Sequence, residues 1–361
     1  MGIRFDKDTR RATSGPVIFF TAVRDETFIE EIRNAVISGI SFYAYRFPGD
    51  SMLTYGASES IVEGLETPGF VIGRFSPELP FITIPYKNVK ATMDRGHQYT
   101  MPEHSTTFCE YQAQFAEIKE RLRAEKGRKV VAATVMVREK SLDIAEKFYD
   151  LCDRFPDSFV FSFSTPVTGC WIGASPELLM RGRERQLETM ALAGTRKVGE
   201  TGEWDEKNKE EQRIVTEYIE DGLKNNGLSG ETGDTFTKKA GPIEHICTHI
   251  SATLGGNFDI KKLEDLIRDL SPTPALCGSP KQFAMEVIKA TEPFNRGCYG
   301  GFCGPYNGVK DFAFHVVLRC ASVSDKRFCV YAGGGITLQS VLDTEWKEIE
   351  SKVFGVFPEA R

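Results

Sequence analysis

Apolar residues recur at helical spacing through TFIEEIRNAVIS, residues 27–38, and Gly39 supplies the stop. Apolar stretches near 41–45 and 69–73 then predict strands, whereas residues 89–107 are polar and irregular. Thr107 followed by Glu110 has the form of a capping box, which predicts a helix running to about Lys126 with Gly127 as its terminator. KVVAATVMV, residues 129–137, is rich in β-branched residues and predicts a strand. A helix over 142–154 and a second strand, FVFSFST at 159–165, follow it. The chain then becomes acidic and helical over 205–224, ending before NNGLSG. Further helices are predicted over 259–270 and 280–292, strands over 312–320 and 327–332, and a last helix over about 343–354. No fixed-period repeat and no linker rich in Pro, Gly or Ser divides the chain, so residues 1–361 read as a single domain. Helices interspersed with many short strands predict an α/β or α+β fold, and periodicity does not supply the strand order.

Composition narrows the partners. The 361 residues are enough to bury a large core as one domain or as two closely joined lobes. Lys and Arg total 45 against 51 Asp and Glu, a formal charge of -6, and no long basic block is present to neutralise a phosphate backbone. Nucleic acid is therefore not the expected partner. Nine cysteines are scattered without a CxxC pair, as expected of reduced and mostly buried thiols in a cytoplasmic protein. PVIFFTAV, residues 16–23, is too short to span a membrane, and no apolar core with a cleavage region follows the basic start MGIRFDKDTR. A membrane or secretory role is not expected, nor is an obligatory protein partner.

The candidate chemistry lies in carboxylates and glycines. In TEWKEIESK, residues 344–352, Glu345 and Glu348 are three apart and Lys352 lies four beyond Glu348, so a helix would place all three on one face. Two close carboxylates repel unless a positive group separates them, and either Lys352 or a divalent cation could do so. An all-oxygen set favours magnesium over zinc. The competing reading is a solvated face with ordinary ion pairs. WDEKNKEEQRIV, residues 204–215, is a second acidic cluster that could complete such a site, although spacing does not choose Glu211 over Glu210. Gly333, Gly334 and Gly335 could form a tight turn with amides facing an anion, and GCYGGFCG at 297–304 is a second permissive stretch that carries Tyr299. Neither matches a P-loop or a dinucleotide fingerprint. Lys129 opens one predicted strand and Arg319 ends another; either could meet an acidic substrate or simply border a sheet. His245 and His249 need a third partner before zinc is credible, and no Ser, His and Asp pattern suggests a hydrolytic triad.

Taken in order, KVVAA, GASPELLM, LAGTR, the acidic EEQ segment, PTPALCGSPK, RGCYGGFCG, the LR that closes FHVVLR, AGGGI and EWKEIESK resemble the chorismate-utilising enzymes. That family contains isochorismate, salicylate, anthranilate and aminodeoxychorismate synthases. The resemblance runs from Lys129 to the carboxyl terminus, about two thirds of the chain, so the motifs concentrate in residues 129–361. It implies an α+β fold of large mixed or antiparallel sheets in a two-lobed sandwich surrounded by helices.

The same resemblance implies an activity. Water-using members carry a lysine base at the position of Lys129, where ammonia-using relatives usually carry glutamine. A further type has a nucleophilic lysine in a PIKGT motif, where this chain has Ala193 in LAGTR. Both identities imply attack by water at C2 of chorismate, with Glu177 protonating the departing C4 hydroxyl, to give isochorismate. A lysine acts as a base only if its pKa falls from about 10.4, and a carboxylic acid donates only if its pKa rises, so both should be buried. The family pattern also implies Mg2+ on Glu211 and Glu348, with Glu345 acting through water. It implies that Tyr299, Arg319 and Lys352 hold the enolpyruvyl carboxylate. Gly334 and Gly335 would form the backbone side of the substrate pocket, and Thr195 and His245 would complete it. Two departures stand out: Ser271 in LSPTP, where histidine is usual, and Gln212, where many relatives have histidine beside the metal glutamate. The competing activities are salicylate synthesis, which adds pyruvate elimination, anthranilate-type chemistry, a silent metabolite-binding protein and a generic magnesium hydrolase. The product's fate is open between menaquinone and siderophore assembly, with menaquinone preferred.

Overall fold

The computed structural model describes residues 17–20, 24–87, 89, 98–125, 127–240 and 243–361. The basic amino-terminal start, half of the segment 16–23 and part of the polar stretch 89–107 lie outside these residues.

Among the described residues, two nine-stranded sheets form, and every pairing in them is antiparallel. The first sheet runs, edge to edge, through Val17–Phe20, Met52–Ser58, Ser41–Arg46, Phe159–Thr165, Gly169–Ser175, Cys320–Val323, Phe328–Ile336, Lys129–Arg138 and Gly278–Ser279. The second runs through Gly230–Ala240, Ile243–Thr253, Gln186–Lys197, Leu178–Arg183, Asp311–Val316, Phe302–Tyr306, Gly69–Gly73, Ile82–Pro85 and Val62–Glu63. The α+β sandwich expected from the resemblance is therefore present, in its antiparallel form.

Alternation along the strands explains the layering. In Ser41–Arg46, Phe42 and Ala44 join a core shared with the helices Glu26–Ser38, Phe108–Ala124, Ile144–Arg154, Lys281–Thr291 and Leu342–Val356. Tyr43 and Tyr45 point the other way, into the core between the sheets, where they meet Phe70, Phe159 and Phe161. A sheet covered on both faces needs apolar residues at every position, which is why KVVAATVMV reads as an unbroken run. Helices Glu206–Asn225 and Ile260–Leu270 cover the outer face of the second sheet through Val215, Ile219, Leu223, Leu263, Leu266 and Ile267. Each fully buried side chain of this size contributes roughly 1.5–3 kcal/mol.

Most helix limits fall within two residues of expectation. Gly39 caps the first helix at φ 68, and Thr107 with Glu110 completes the capping box. Three expectations need correction. The helix after Thr107 ends at Ala124 with Glu125 as its cap, so Gly127 does not terminate it. A Cβ on Gly127 would fall 2.1 Å from the Phe283 ring, and close packing is what that glycine permits. Gly333, Gly334 and Gly335 do not form a turn; they lie inside the strand Phe328–Ile336, opposite Ala133, Ala132 and Val131. Arg319 does not end a strand that runs to 320. The strand Asp311–Val316 closes in the second sheet, the chain crosses, and Cys320–Val323 begins in the first.

That crossing positions the site. Arg319 occupies it with φ 49, and Glu177 occupies a second crossing, between Gly169–Ser175 and Leu178–Arg183. The two crossings brace each other: the Ala174 amide donates to the Arg319 carbonyl at 3.2 Å, and the Val316 amide to the Glu177 carbonyl at 3.1 Å.

Candidate active site

One cavity opens beside the two crossings, with walls from both sheets and from the helices Glu206–Asn225 and Leu342–Val356. Lys129, Glu177, Thr195, Glu211, His245, Tyr299, Arg319, Gly335, Glu345, Glu348 and Lys352 all line it. Of the residues expected at the site, Gly334 alone is not on this wall. Strand alternation turns Gly333 and Gly335 toward the cavity, while Gly334 faces the last helix, where a Cβ would meet Glu345 Oε2 at 3.2 Å.

Lys129 is the first residue of its strand, and its side chain is 3% exposed. Its Nζ lies 3.3 Å from Glu211 Oε2. The strand behind it is fixed by a buried ion pair between Arg296 and Glu292. Glu292 accepts from the Ala133 amide at 2.9 Å, while Arg296 donates to the Val131 and Leu276 carbonyls at 2.7 Å each. These bonds satisfy backbone groups that would otherwise be buried without partners.

Glu177 is fully enclosed. Burial pushes its carboxyl up to about 7, although the Thr273 hydroxyl, donating at 3.2 Å, and the ammonium groups of Lys238 and Lys129 pull the other way. Lys238 lies behind it, donating to the Pro176 carbonyl at 2.9 Å, and burial lowers the lysine's own pKa.

His245 bonds through both ring nitrogens. Nδ1 lies 2.8 Å from the Gly194 carbonyl and 3.3 Å from Thr195 Oγ1, and Nε2 lies 2.8 Å from Arg319 Nη2. A carbonyl accepts only, so Nδ1 carries the proton and Nε2 accepts from the guanidinium. Burial and the charge of Arg319 push the imidazole down to about 3, which keeps it neutral. Burial also lowers Arg319, to about 10. Thr195 is held in turn by its amide, which donates to Asn208 Oδ1 at 2.9 Å, next to Gly194 at φ 70. Tyr299 is buried and stacks on Tyr331 at 5.7 Å.

The three glutamates converge on lysines. Lys207 reaches Glu345 Oε1 at 2.9 Å and Glu211 Oε1 at 3.8 Å, and Lys352 reaches Glu348 at 2.7 Å and the Gly333 carbonyl at 3.0 Å. Burial lowers Lys207, but Glu345 and Glu211 outweigh it and leave the ammonium favoured. Burial likewise raises Glu348, and Lys352, Lys207 and Lys129 together reverse the effect and hold it ionised. Among the described residues, no three acidic, histidine or cysteine side chains are gathered tightly enough to ligate one ion. The donor chemistry nevertheless suits a hard divalent cation: three carboxylates face one cavity, and an ammonium already lies between two of them.

Sequence reasoning passed over Lys207, Thr273 and Asn208. Lys207 lies four residues before Glu211, a spacing that alone suggests only a surface pair. The two departures fall away from the cavity. Gln212 donates to the Ala191 carbonyl and to Thr248 Oγ1 at 3.0 Å each, and Ser271 caps the helix Ile260–Leu270. His249 is stacked on Phe236 on the outer strands, 5.2 Å between ring centres, and among the described residues no group of side chains that could hold a zinc ion includes it.

The sequence profile described as "Chorismate binding enzyme" matches residues 83–356. The chain belongs to that family. Among curated members of the chorismate binding enzymes, it is 33% identical to the isochorismate synthase MenF of Haemophilus influenzae over 52% of this chain and 45% of that protein. It is 29% identical to anthranilate synthase component 1 of Pseudomonas putida over 73% of this chain and 55% of that protein. The chain spans about half the length of these curated relatives. In fold, it is similar to the structure of MenF, the menaquinone-specific isochorismate synthase from Escherichia coli, with a TM-score of 0.76 and 19% identity over 96% of this chain and 94% of that one. Family membership agrees with the motifs read between Lys129 and Lys352. Among the described residues, no helix is long and apolar enough to cross a membrane.

Proposed function

We propose that the protein is an isochorismate synthase, an isomerase that adds water at C2 of chorismate and releases the C4 hydroxyl. The observation that carries this reading is the pairing of a buried amine, Lys129, with a buried carboxyl, Glu177, on the walls of one cavity. Cationic side chains converge on the same space.

In the proposed reaction, Lys129 takes a proton from water as its oxygen bonds to C2. The ring double bond shifts, the C4–O bond breaks, and Glu177 delivers its proton to the departing oxygen. Water enters and water leaves, so the change is an isomerisation. Glu177 suits the acid role because burial keeps much of it protonated near neutral pH. Lys129 needs its amine free, and Glu211 now holds it at 3.3 Å. Glu211 and Glu348 would hold magnesium, with Glu345 acting through water, and the ion would supply charge neutralisation at the ring carboxylate. Using Glu211 in this way would withdraw it from Lys129. Arg319, oriented by neutral His245, presents a fork suited to a carboxylate, and Lys352 adds a second positive group. Lysine at position 129 and Ala193 in LAGTR favour water over an amine as nucleophile.

The test is incubation of purified protein with chorismate and magnesium, followed by chromatography. A product with the substrate's mass and a different retention is expected. Salicylate with pyruvate would assign the additional elimination, anthranilate formed with ammonium would assign the amine chemistry, and no conversion across pH and magnesium concentration would overturn the reading.

A further inference from the structure

A second cavity lies directly outside the first and shares Thr195, Ile243, Arg319, Glu348 and Lys352 with it. Its outer wall carries Lys197, at the end of the strand Gln186–Lys197, and Lys347, on the last helix. Neither lysine has a carboxylate partner within 4.0 Å among the described residues. Their neighbours on this wall are already committed: Arg196 pairs with Glu244 at 2.6 Å, and Glu348 pairs with Lys352. Glu200 also borders the space and offsets one of the two charges. An anion passing inward meets Lys197 and Lys347 at the rim, then Arg319 and Lys352 at the boundary with the inner cavity. Uncommitted ammonium groups on a concave, partly apolar wall concentrate anions, because the low-dielectric walls focus the field.

We propose that this outer cavity is a receiving vestibule for small dicarboxylates, in which Lys197 and Lys347 draw the substrate dianion toward Arg319. The inference rests on the proposed chorismate reaction for the identity of the ligand, not for the site. A dianion gains twice from each charge, so a monocarboxylate is drawn less strongly.

The experiment reverses both charges, K197E with K347E, and compares them with K310E and K326E, which change net charge equally on exposed turns elsewhere. At about 20 mM salt, the vestibule variant is expected to lose about tenfold in kcat/KM, with kcat changed less than twofold and with a flatter dependence on ionic strength. Unchanged kcat/KM, or an equal loss in the K310E/K326E control, overturns the vestibule. Calorimetric titration with benzene-1,3-dicarboxylate separates this result from the function. Should the protein not convert chorismate, the functional reading fails, while binding about tenfold weaker in the vestibule variant at low salt still supports the site. Equal binding by both variants rejects it.

Discussion

A Cβ placed on Gly335 would fall 2.3 Å from Cε of Lys129. The glycine is therefore the floor on which the lysine lies, and the run Gly333–Gly335 makes room for side chains where a turn was expected. A methyl group would displace the end of a flexible side chain and leave the strand intact. Gly335→Ala should therefore lower kcat by about a hundredfold, with a melting temperature close to that of the unaltered protein. Retained turnover would mean that the position of the Lys129 amine does not matter to the reaction.

Lys129→Ala removes the amine itself. Loss of a general base predicts a fall of about 10²- to 10⁴-fold in kcat, measured as initial rates by chromatography. Near-normal turnover at saturating substrate would remove Lys129 from the mechanism.

Glu177 links activity to stability through one shift. Its folded carboxyl, at about 7, holds its proton more tightly than the ordinary value of 4.5 in the unfolded chain. The stability this supplies is fully present below pH 4.5 and is lost as pH rises through 7. Glu177→Gln should then be more stable than the unaltered protein at pH 8, by up to about 3 kcal/mol, with the difference vanishing toward pH 4.5. The same substitution should abolish turnover, and the unaltered enzyme should slow as pH passes above 7. Scanning calorimetry across pH reads the first effect; a constant difference would mean that the carboxyl is not shifted.

Lys207→Met leaves Glu345, 1% exposed, facing Glu211 without the ammonium between them. Because Lys207 is itself 37% exposed, solvent moderates the loss, and a destabilisation of about 1 to 2 kcal/mol is expected at neutral pH. Added magnesium should raise the melting temperature of this variant more than that of the unaltered protein. No response to the ion in either would remove these glutamates as its ligands.

The sequence carried the helices well, because a 3.6-residue stripe and its caps are local. It carried the strands Gly169–Ser175, Gln186–Lys197, Gly230–Ala240 and Ile243–Thr253 poorly. Gly230–Ala240 is an outer strand of mostly exposed polar residues, so alternation gave it no apolar signature. Composition could not tell a glycine required by a turn from one required by a neighbour such as Lys129. Nor could it tell which of Gly333, Gly334 and Gly335 faces the cavity, because strand register settles that. Lys207 looked like part of a solvated helix because its buried partner, Glu345, is 138 residues away.

Glu177 and Arg319 each sit where the chain leaves one sheet for the other, and the two passages are hydrogen-bonded together. The cavity is lined by residues from Lys129 to Lys352 and by both sheets, so it exists only once these long-range contacts have closed. Turnover is thus a readout of finished folding. During refolding, activity should return no sooner than the slowest structural probe, and partly folded species should be silent toward substrate.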